Sequence, residues 1–529
     1  MTTTVPSLDP TAGTPTDRTT GEAVLVGGRA LSRLAGRRLL VLNWRDVRHS
    51  QAGGAEAYAH EISKRWVAAG AEVTWLTARD AGQSARDEID GVRIHRAGGA
   101  LSVYVRAAMD LVRRGGGFDA IVDCQNGIPF FSPLFTRGDV PVVQVVHHVH
   151  QDQFATRFSP TGAAVGRLLE GRVARRVYRG RRTVAVSAST RQELRRRLKI
   201  ADVIEVVPNG GIDRVDETPR ESLRAATPTI VVTSRLVPHK RLDLLLQAVS
   251  AALPDVPDLA VEVIGGGPEL TALRRMAVEL GLARVVRFHG RLPDDERDAL
   301  MSRAWLTTST SEGEGWGIVV LEAAAEGVPC LALRAPGIRD SVVDGATGWM
   351  VDGVDDLAAA LPRVLRELAD PARAREVADD CRAWAGCFTW DRSAELLAGV
   401  VVSEVSAFHR SGAEETHLPP ADRSALRRAA TRRQARSDMT VLARFTHDDP
   451  AAAAAALRLT DECAVRGSGP GGEVTALLRG CDEVDALAVL ARIGAVDPRV
   501  RLASRHELLG GPALVESRAA RAAARGAGR

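Results

Sequence analysis

Glu314 and Glu322 stand with seven residues between them in the stretch SEGEGWGIVVLEAAAEGVP, Ser311 to Pro329. Glycines occupy 313, 315 and 317, and the apolar run Ile318-Val-Val-Leu321 separates the two acids. A carboxylate left unpaired against a buried surface costs on the order of several kcal/mol, so a polar partner is called for. With Gly317 at a helix start, Glu314 projects from the preceding loop and Glu322 sits between one and two turns along the helix. A carboxylate accepts two hydroxyl donors at once, which suits a vicinal diol such as a sugar's. Two glutamates at this spacing also fit an ordinary surface helix. The glycines and the intervening apolar run favour a cleft.

The second candidate set is cationic. Ser234-Arg-Leu-Val-Pro-His-Lys240 follows a strand pattern and opens a helix. That places Arg235 and Lys240 at the carboxyl end of a sheet, where ligands bind in open α/β folds. A guanidinium offers bidentate bonds to phosphate and an ammonium a compact point charge. On their own, the two also fit a pair of solvated surface cations. Gly265-Gly-Gly-Pro-Glu269, at the next strand-to-helix turn, lets backbone N–H groups approach an anion. It does not satisfy G-x-G-x-x-G, which counts against a dehydrogenase. In His147-His148-Val149-His150, His148 and His150 share one face of a strand, but no nearby cysteine or carboxylate set completes a zinc site. No metal is assigned, and a sugar-contacting or packed histidine is the reading.

Positioning these groups requires sheets. Arg38–Asn43, Ala71–Thr77, Asp119–Asp123, Pro141–Val146, Thr183–Ser187 and Ile204–Val207 read as strands, with helical segments in the longer intervals. After Pro208-Asn-Gly-Gly-Ile-Asp213 the pattern restarts at Thr229–Ser234 and continues through Leu259–Gly265, Val285–Phe288, Trp305–Thr308 and Val328–Ala332. The fold class is α/β: two doubly wound parallel-sheet domains facing across a cleft, with a small C-terminal α/β appendage. The expected boundaries are a disordered Thr/Pro/Gly-rich tail at 1–37, a first domain at 38–210, a second at 211–389, a return helix at 390–410, a linker at 411–438, the appendage at 439–512, and a disordered Ala/Arg/Gly tail at 513–529. Within the appendage, an alanine-rich helix is expected to run to Cys463.

The motifs SRLVPHK, GGGPEL, FHGRL and EGWGIVVLEAAAEGVP, in this order and spacing, resemble the retaining nucleotide-sugar glycosyltransferases of family 4, which have the GT-B fold. In the first half NWRDVRHSQAGGAE and VVHHVHQDQF resemble that family's acceptor-side motifs, and VPNGGID its interdomain crossing. The resemblance covers roughly Arg38 to Val405. It implies that Arg235 and Lys240 hold the donor diphosphate, that Glu322 binds the nucleotide ribose, and that Glu314 binds the transferred hexose near its 3-hydroxyl. His147 resembles the family's sugar-contacting histidine, which makes Glu314, His147, Arg235 and Lys240 the implied catalytic set. Gly266, Gly267, Arg291, Gly315, Trp316 and Gly317 complete the implied donor site. Gly53, Gly54 and Glu56 stand for the loop that approaches phosphate and acceptor. Two positions depart from the family pattern. Gly211 is an extra glycine at the crossing, and Ala335-Pro-Gly-Ile-Arg-Asp340 replaces GG-x-x-E with a shorter acid.

The resemblance implies transfer of a hexose from a nucleotide-diphosphate sugar to a hydroxyl acceptor (glycolipid, polysaccharide precursor or small molecule), with the anomer retained. A sugar-nucleotide epimerase or a phosphorylase on the same fold is the alternative, although no pyridoxal-binding lysine motif is recognisable. No D-x-D motif is present, so fixed cations would meet the charge on the leaving diphosphate, and no cofactor is expected. With 70 basic and 66 acidic residues the net charge is +4, so charge balance calls for no nucleic-acid partner; a protein binding nucleic acid through arginine-rich helices is a further alternative that leaves the glutamates unexplained. From Arg167 to Lys199 twelve Lys/Arg face two Glu. A solvated face is the default there, and an anionic membrane surface or lipid-linked acceptor is the open alternative. The six cysteines show no C-x-x-C pairing, and no apolar run approaches the ~20 residues of a bilayer span. The N-terminus lacks signal-peptide features. The reading is a cytoplasmic protein, with peripheral attachment to the inner face of the plasma membrane left open.

Overall fold

The computed structural model describes residues 24–25, 27–114, 117–136, 140–200, 202–211, 224–414, 438–512 and 514. An eight-stranded sheet runs, from edge to edge, Arg86–Ile89, Val92–Arg96, Glu72–Thr77, Arg38–Leu42, Ala120–Gln125, Val142–Val146, Thr183–Ala185 and Ile204–Val206. Only the Arg86–Ile89 edge is antiparallel. All five residues of Val142–Val146 are buried, as a central parallel strand covered on both faces requires. The Gly54–Ala68 helix lays Tyr58, Ile62 and Trp66 on one face at four-residue intervals, and all three are buried.

The second domain carries Val286–Gly290, Ala260–Ile264 and Thr229–Thr233, then Thr307–Ser309, Cys330–Leu333 and Gly348–Val351. Parallel pairing links each set of three. The Val231 N–H donates to the Leu306 carbonyl (3.1 Å) and Trp305 N–H to that of Thr229 (2.8 Å), joining the two sets into one doubly wound sheet. The strands expected at 305–308 and 328–332 begin two residues later than the sequence suggested. The Trp390–Glu414 helix returns to the first domain, where Trp66 Nε1 donates to the Ala394 carbonyl at 3.1 Å.

The C-terminal unit is an antiparallel sheet ordered Glu462–Arg466, Gly472–Arg479, Thr440–His447, Val496–Leu502, with helices Pro450–Ala456 and Glu483–Arg492 in the two crossovers. This is the split βαβ arrangement of ferredoxin-like units. The alanine-rich helix ends at Ala456 rather than at Cys463, which lies in a strand, because the chain turns extended at Leu457.

One boundary needs correcting. Residues 27–37, assigned to a disordered tail, are ordered: Ala30 and Leu34 are buried, and Glu395 accepts from the Ala30 and Leu31 N–H groups at 2.7 and 3.0 Å. Val24–Leu25 adds a further strand to the C-terminal sheet, Val24 opposite Val465 and Leu25 opposite Ala464. The rest of the 1–37 tail, Ile212–Asp213 of the crossing, residues 415–437 of the expected linker and nearly all of the 513–529 tail lie outside the described residues.

The C-terminal unit is fastened where the two larger domains meet. Arg392 on the return helix forms a two-pronged ion pair with Glu462 (2.6 and 3.1 Å), which also accepts from Arg479 at 2.5 Å. Arg479 in turn donates to the Val206 carbonyl (3.1 Å) and Arg195 pairs with Asp438 (2.9 Å), both tying in the first domain. Leu508, Leu509 and Leu514 pack with Trp316, Trp384 and Phe388 of the second.

Candidate active site

A cavity of about 630 Å³ lies between the first two domains. The first domain contributes Arg45, Gly54, Glu56 and His147 to its lining, and the second contributes Arg235, Lys240, Glu314, Gly315, Trp316 and Gly317. Lys240 Nζ donates to Glu314 Oε1, and Ser311 Oγ donates to the same oxygen at 2.8 Å. Burial pushes the Glu314 carboxyl up, but the Lys240 ammonium and these hydrogen bonds outweigh it and hold the group below the usual carboxylate range. Glu314 is therefore an anion at neutral pH, able to accept from hydroxyl donors.

The glycines of this stretch answer to steric demands. A β-carbon at Gly315 would lie 2.2 Å from the His147 carbonyl oxygen, so the loop crosses the first domain's backbone where only glycine fits. Gly317 caps the Ile318–Ala325 helix with φ of 100°, a left-handed conformation that favours glycine. Gly54, the first residue of its helix, faces Ile318 across the cleft, where a β-carbon would approach Ile318 Cδ1 to 2.8 Å. Glu56 is fixed from two sides: it accepts from the Gly53 N–H at 2.8 Å and pairs with Arg45 Nε at 3.2 Å.

His147 is buried, its ring edge-on to Tyr58 with centroids 5.1 Å apart. Burial, and then the neighbouring His150, pull its pKa to about 3. Its Nε2 is buried without a hydrogen-bond partner among the described residues. Such an atom in a cavity wall is costly unless a ligand satisfies it. His148 is pulled to about 3 for the same leading reason. Among the described residues no group of three or more His, Cys, Asp or Glu is arranged to hold a metal ion.

Other sequence candidates lie outside the lining. A β-carbon at Gly267 would stand 2.2 Å from the Leu236 carbonyl oxygen, and Leu236 N–H donates to the Gly266 carbonyl at 3.0 Å. This turn seats the Ser234–Leu236 backbone and so aims Arg235. Arg291 reaches towards the first domain, its Nη1 3.5 Å from the Ser50 carbonyl. Glu322 is one turn beyond Ile318 on the same helical face. Its carboxyl is raised by burial, against the pull of Arg297 on the Asp294–Met301 helix. Asp340, the shorter acid, is fully buried and caps the Ala188–Arg196 helix of the first domain by accepting from Ser189 N–H at 2.7 Å. It also pairs with Arg505 at 2.9 Å. At the crossing, a β-carbon at Gly210 would meet the Trp390 ring at 2.5 Å, and one at the extra Gly211 would meet Leu321 Cβ at 3.2 Å.

Arg45 was not singled out in the sequence. It is buried, its Nη1 donates to the Gln51 carbonyl at 2.7 Å, and its guanidinium carbon lies 4.6 Å from the Trp44 ring centroid. The one available signal is its place between Asn43-Trp44 and Asp46. A fixed cation thus stands on the first domain's wall of the cavity, opposite Arg235 and Lys240 of the second.

Residues 52–213 match the sequence family described as Glycosyltransferase Family 4, and residues 215–380 that described as Glycosyl transferases group 1. A GDP-mannose-dependent alpha-(1-6)-phosphatidylinositol monomannoside mannosyltransferase of Mycolicibacterium smegmatis is 41% identical over 184 residues, 32% of this chain and 48% of its own length. Its Mycobacterium tuberculosis counterpart is 35% identical over 246 residues, 43% and 63% of the two chains. A D-inositol 3-phosphate glycosyltransferase of Streptomyces avermitilis is 36% identical over 186 residues, 33% and 40%. The chain thus spans roughly half the length of these curated relatives. Among solved structures, sucrose-phosphate synthase of Thermosynechococcus elongatus aligns with TM-score 0.59 at 19% identity, over 70% of this chain and all of that one. Anabaena HepE in complex with UDP and glucose aligns with TM-score 0.53 at 20% identity, over 69% of this chain and 100% of that one. At these identities the likeness is one of fold, and the fold is GT-B.

Proposed function

The chain belongs to the group 1, family 4 glycosyltransferases, and from that premise we propose that it moves a hexose from a nucleotide-diphosphate sugar to a hydroxyl acceptor with the anomeric configuration retained. The observation that carries this reading is the meeting of the Lys240–Glu314 pair and Arg235 with His147 across one interdomain cavity. Arg235 and Lys240 meet the charge that gathers on the diphosphate as the glycosidic bond breaks, and closure of the two domains on the donor would exclude water from the site. Glu314, kept ionised by Lys240, orients the hexose through its hydroxyls. Neutral His147 contributes one directed hydrogen bond at the reacting sugar. Glu322 takes the ribose at the far end of the donor, with Arg297 beside it. The leaving phosphate accepts the acceptor's proton on the face it departs from.

The named relatives support GDP-mannose as the first donor to try and an inositol-bearing hydroxyl compound as the first acceptor. Purified protein is offered GDP-, UDP- and ADP-hexoses with and without such acceptors, and nucleoside diphosphate release is followed. Release that depends on both partners is the expected result. Failure to bind or turn over any of these donors overturns the reading. Peripheral attachment to an anionic cytoplasmic leaflet through Arg167–Lys199 is the companion proposal, supported by Val165 and Leu168, which are exposed on the same surface. No helix among the described residues is long and apolar enough to cross a membrane. Co-sedimentation with liposomes that ignores their anionic lipid content would remove the attachment.

A further inference from the structure

A second cavity, of about 480 Å³, opens in the first domain beside the first. Arg167, Arg172, Arg175, Arg197 and Lys199 line it around Gly171. Two local irregularities collect these cations. Between the helical segments Pro160–Leu168 and Ala174–Val177, the residues Leu169–Val173 form a π turn. Hydrogen bonding from i to i+5 brings Arg167 and Arg172 onto one face, and Arg175 follows one α-turn later. On the opposite wall Lys199 has φ of 55°, a left-handed conformation uncommon for a residue with a β-carbon. Strained backbone and π turns both concentrate at functional positions.

All five cations are exposed, and among the described residues most of them have no carboxylate to neutralise them. Arg197 is paired with Asp152 at 2.8 Å and Glu193 at 3.4 Å. Arg167, Arg172, Arg175 and Lys199 have no carboxylate partner among the described residues. The one acid of the π turn that could serve them, Glu170, is buried and turned away. Its two oxygens accept from His150 N–H and Gln151 Nε2, each at 2.6 Å. These four cations are exposed, so water screens their mutual repulsion, but gathered around one concavity they present converging donors to an anion with several acceptor oxygens. The 150–151 backbone held by Glu170 separates this cavity from the first, which His150, Phe154 and Phe158 help to line on its acceptor side.

We propose that the second cavity binds a phosphate group and, resting on the glycosyl-transfer reading, that the acceptor carries it. The phosphate anchors the acceptor one loop away while its hydroxyl reaches the donor. A phosphomonoester on a soluble acceptor and the phosphodiester of a lipid headgroup share the chemistry that these cations recognise.

The test uses the full chain carrying Arg235→Ala and Lys240→Ala, so that the donor-side cations cannot bind the probes. It is titrated calorimetrically with glycerol 3-phosphate, a monoester, and with glycerophosphoglycerol, a deacylated diester headgroup; glycerol is the control. One or both esters bind, and adding Arg172→Ala and Arg175→Ala weakens that binding about tenfold or more. Which ester binds better distinguishes the soluble source from the lipid source. Absence of binding by both esters at millimolar concentration overturns the proposal, as does binding indifferent to Arg172 and Arg175. Binding to phosphatidylglycerol vesicles alone also overturns it, because the cations then serve a diffuse surface. In the otherwise native chain, Arg172→Ala with Arg175→Ala raises KM for a phosphorylated acceptor and leaves donor hydrolysis unchanged. If the native chain turns over no donor at all, the transfer reading fails while the titration still decides the phosphate site.

Discussion

The loop at Gly315 passes so close to the His147 carbonyl that a single added methyl would lie 2.2 Å from the oxygen. The glycine-rich loop of one domain and the chain just after the Val142–Val146 strand of the other approach this closely only while residue 315 has no side chain. Gly315→Ala is expected to wedge the cleft open and lower kcat/KM by about 100-fold, the scale of a misplacement near 1 Å. Each domain would keep its own core, so circular dichroism stays native while small-angle scattering reports a wider particle. Full activity in this variant would show that the close approach is dispensable.

Lys240 and Glu314 should behave as one unit. Removing Lys240 leaves a half-buried carboxylate without its cation and takes one positive charge from the proposed diphosphate site. Lys240→Ala and Glu314→Ala are each expected to lower kcat by about 10²–10³-fold with folding intact. The double variant should lose little more than either single one, because members of a coupled pair are not additive. Near-normal turnover in either single variant would end the site assignment.

The pH profile offers an independent check on His147. With its pKa pulled to about 3 by burial and His150, the ring is neutral throughout the range where an ordinary histidine titrates. No limb near pH 6.5 should therefore come from this residue. His147→Gln keeps a neutral hydrogen-bonding group and should retain more activity than His147→Ala, with the same profile shape. A limb near neutrality that His147→Gln abolishes would show that the ring is ionised there.

The buried Glu462 predicts an acid-labile junction. Burial raises its pKa, but Arg392 and Arg479 outweigh that and bring it from 4.5 to about 2. A carboxyl with a depressed folded-state pKa contributes stability above its unfolded pKa, and loses it as pH falls through the folded value. The melting temperature should thus drop between about pH 4.5 and pH 2 by the equivalent of roughly 3 kcal/mol. Glu462→Gln should remove this dependence and cost about 3–5 kcal/mol at neutral pH, because two buried guanidinium groups lose their anion. A melting curve that is equally acid-sensitive in this variant would place the lability elsewhere.

What the sequence disclosed follows from how local each signal is. Val142–Val146 is buried throughout, and its four valines around Gln144 read as a strand from the sequence alone. The helix start at Gly317 is likewise a local event, so Glu314 could be placed ahead of it. Gly267 is different: its constraint comes from the Leu236 carbonyl, and nothing within the turn itself announces that neighbour. Asp340 caps a helix 151 residues earlier in the chain, so its shorter side chain could not be interpreted from its own motif. Arg45 owes its orientation to Glu56, eleven residues on, which sequence alone offered only as a loop residue. Glu322 is intermediate: its place on the helix was legible, but its neighbour Arg297 comes from a helix on the far side of a strand.

Val24–Leu25 is a strand of only two residues, yet it caps the open side of the C-terminal sheet beside Glu462–Arg466. Trimming the protein at residue 37, where composition suggests a clean start, would uncover a row of unpaired backbone donors and acceptors. Exposed rows of that kind template pairing with other chains. The shortened protein would therefore be prone to self-association, and its precipitation could be mistaken for a defect of the catalytic lobes.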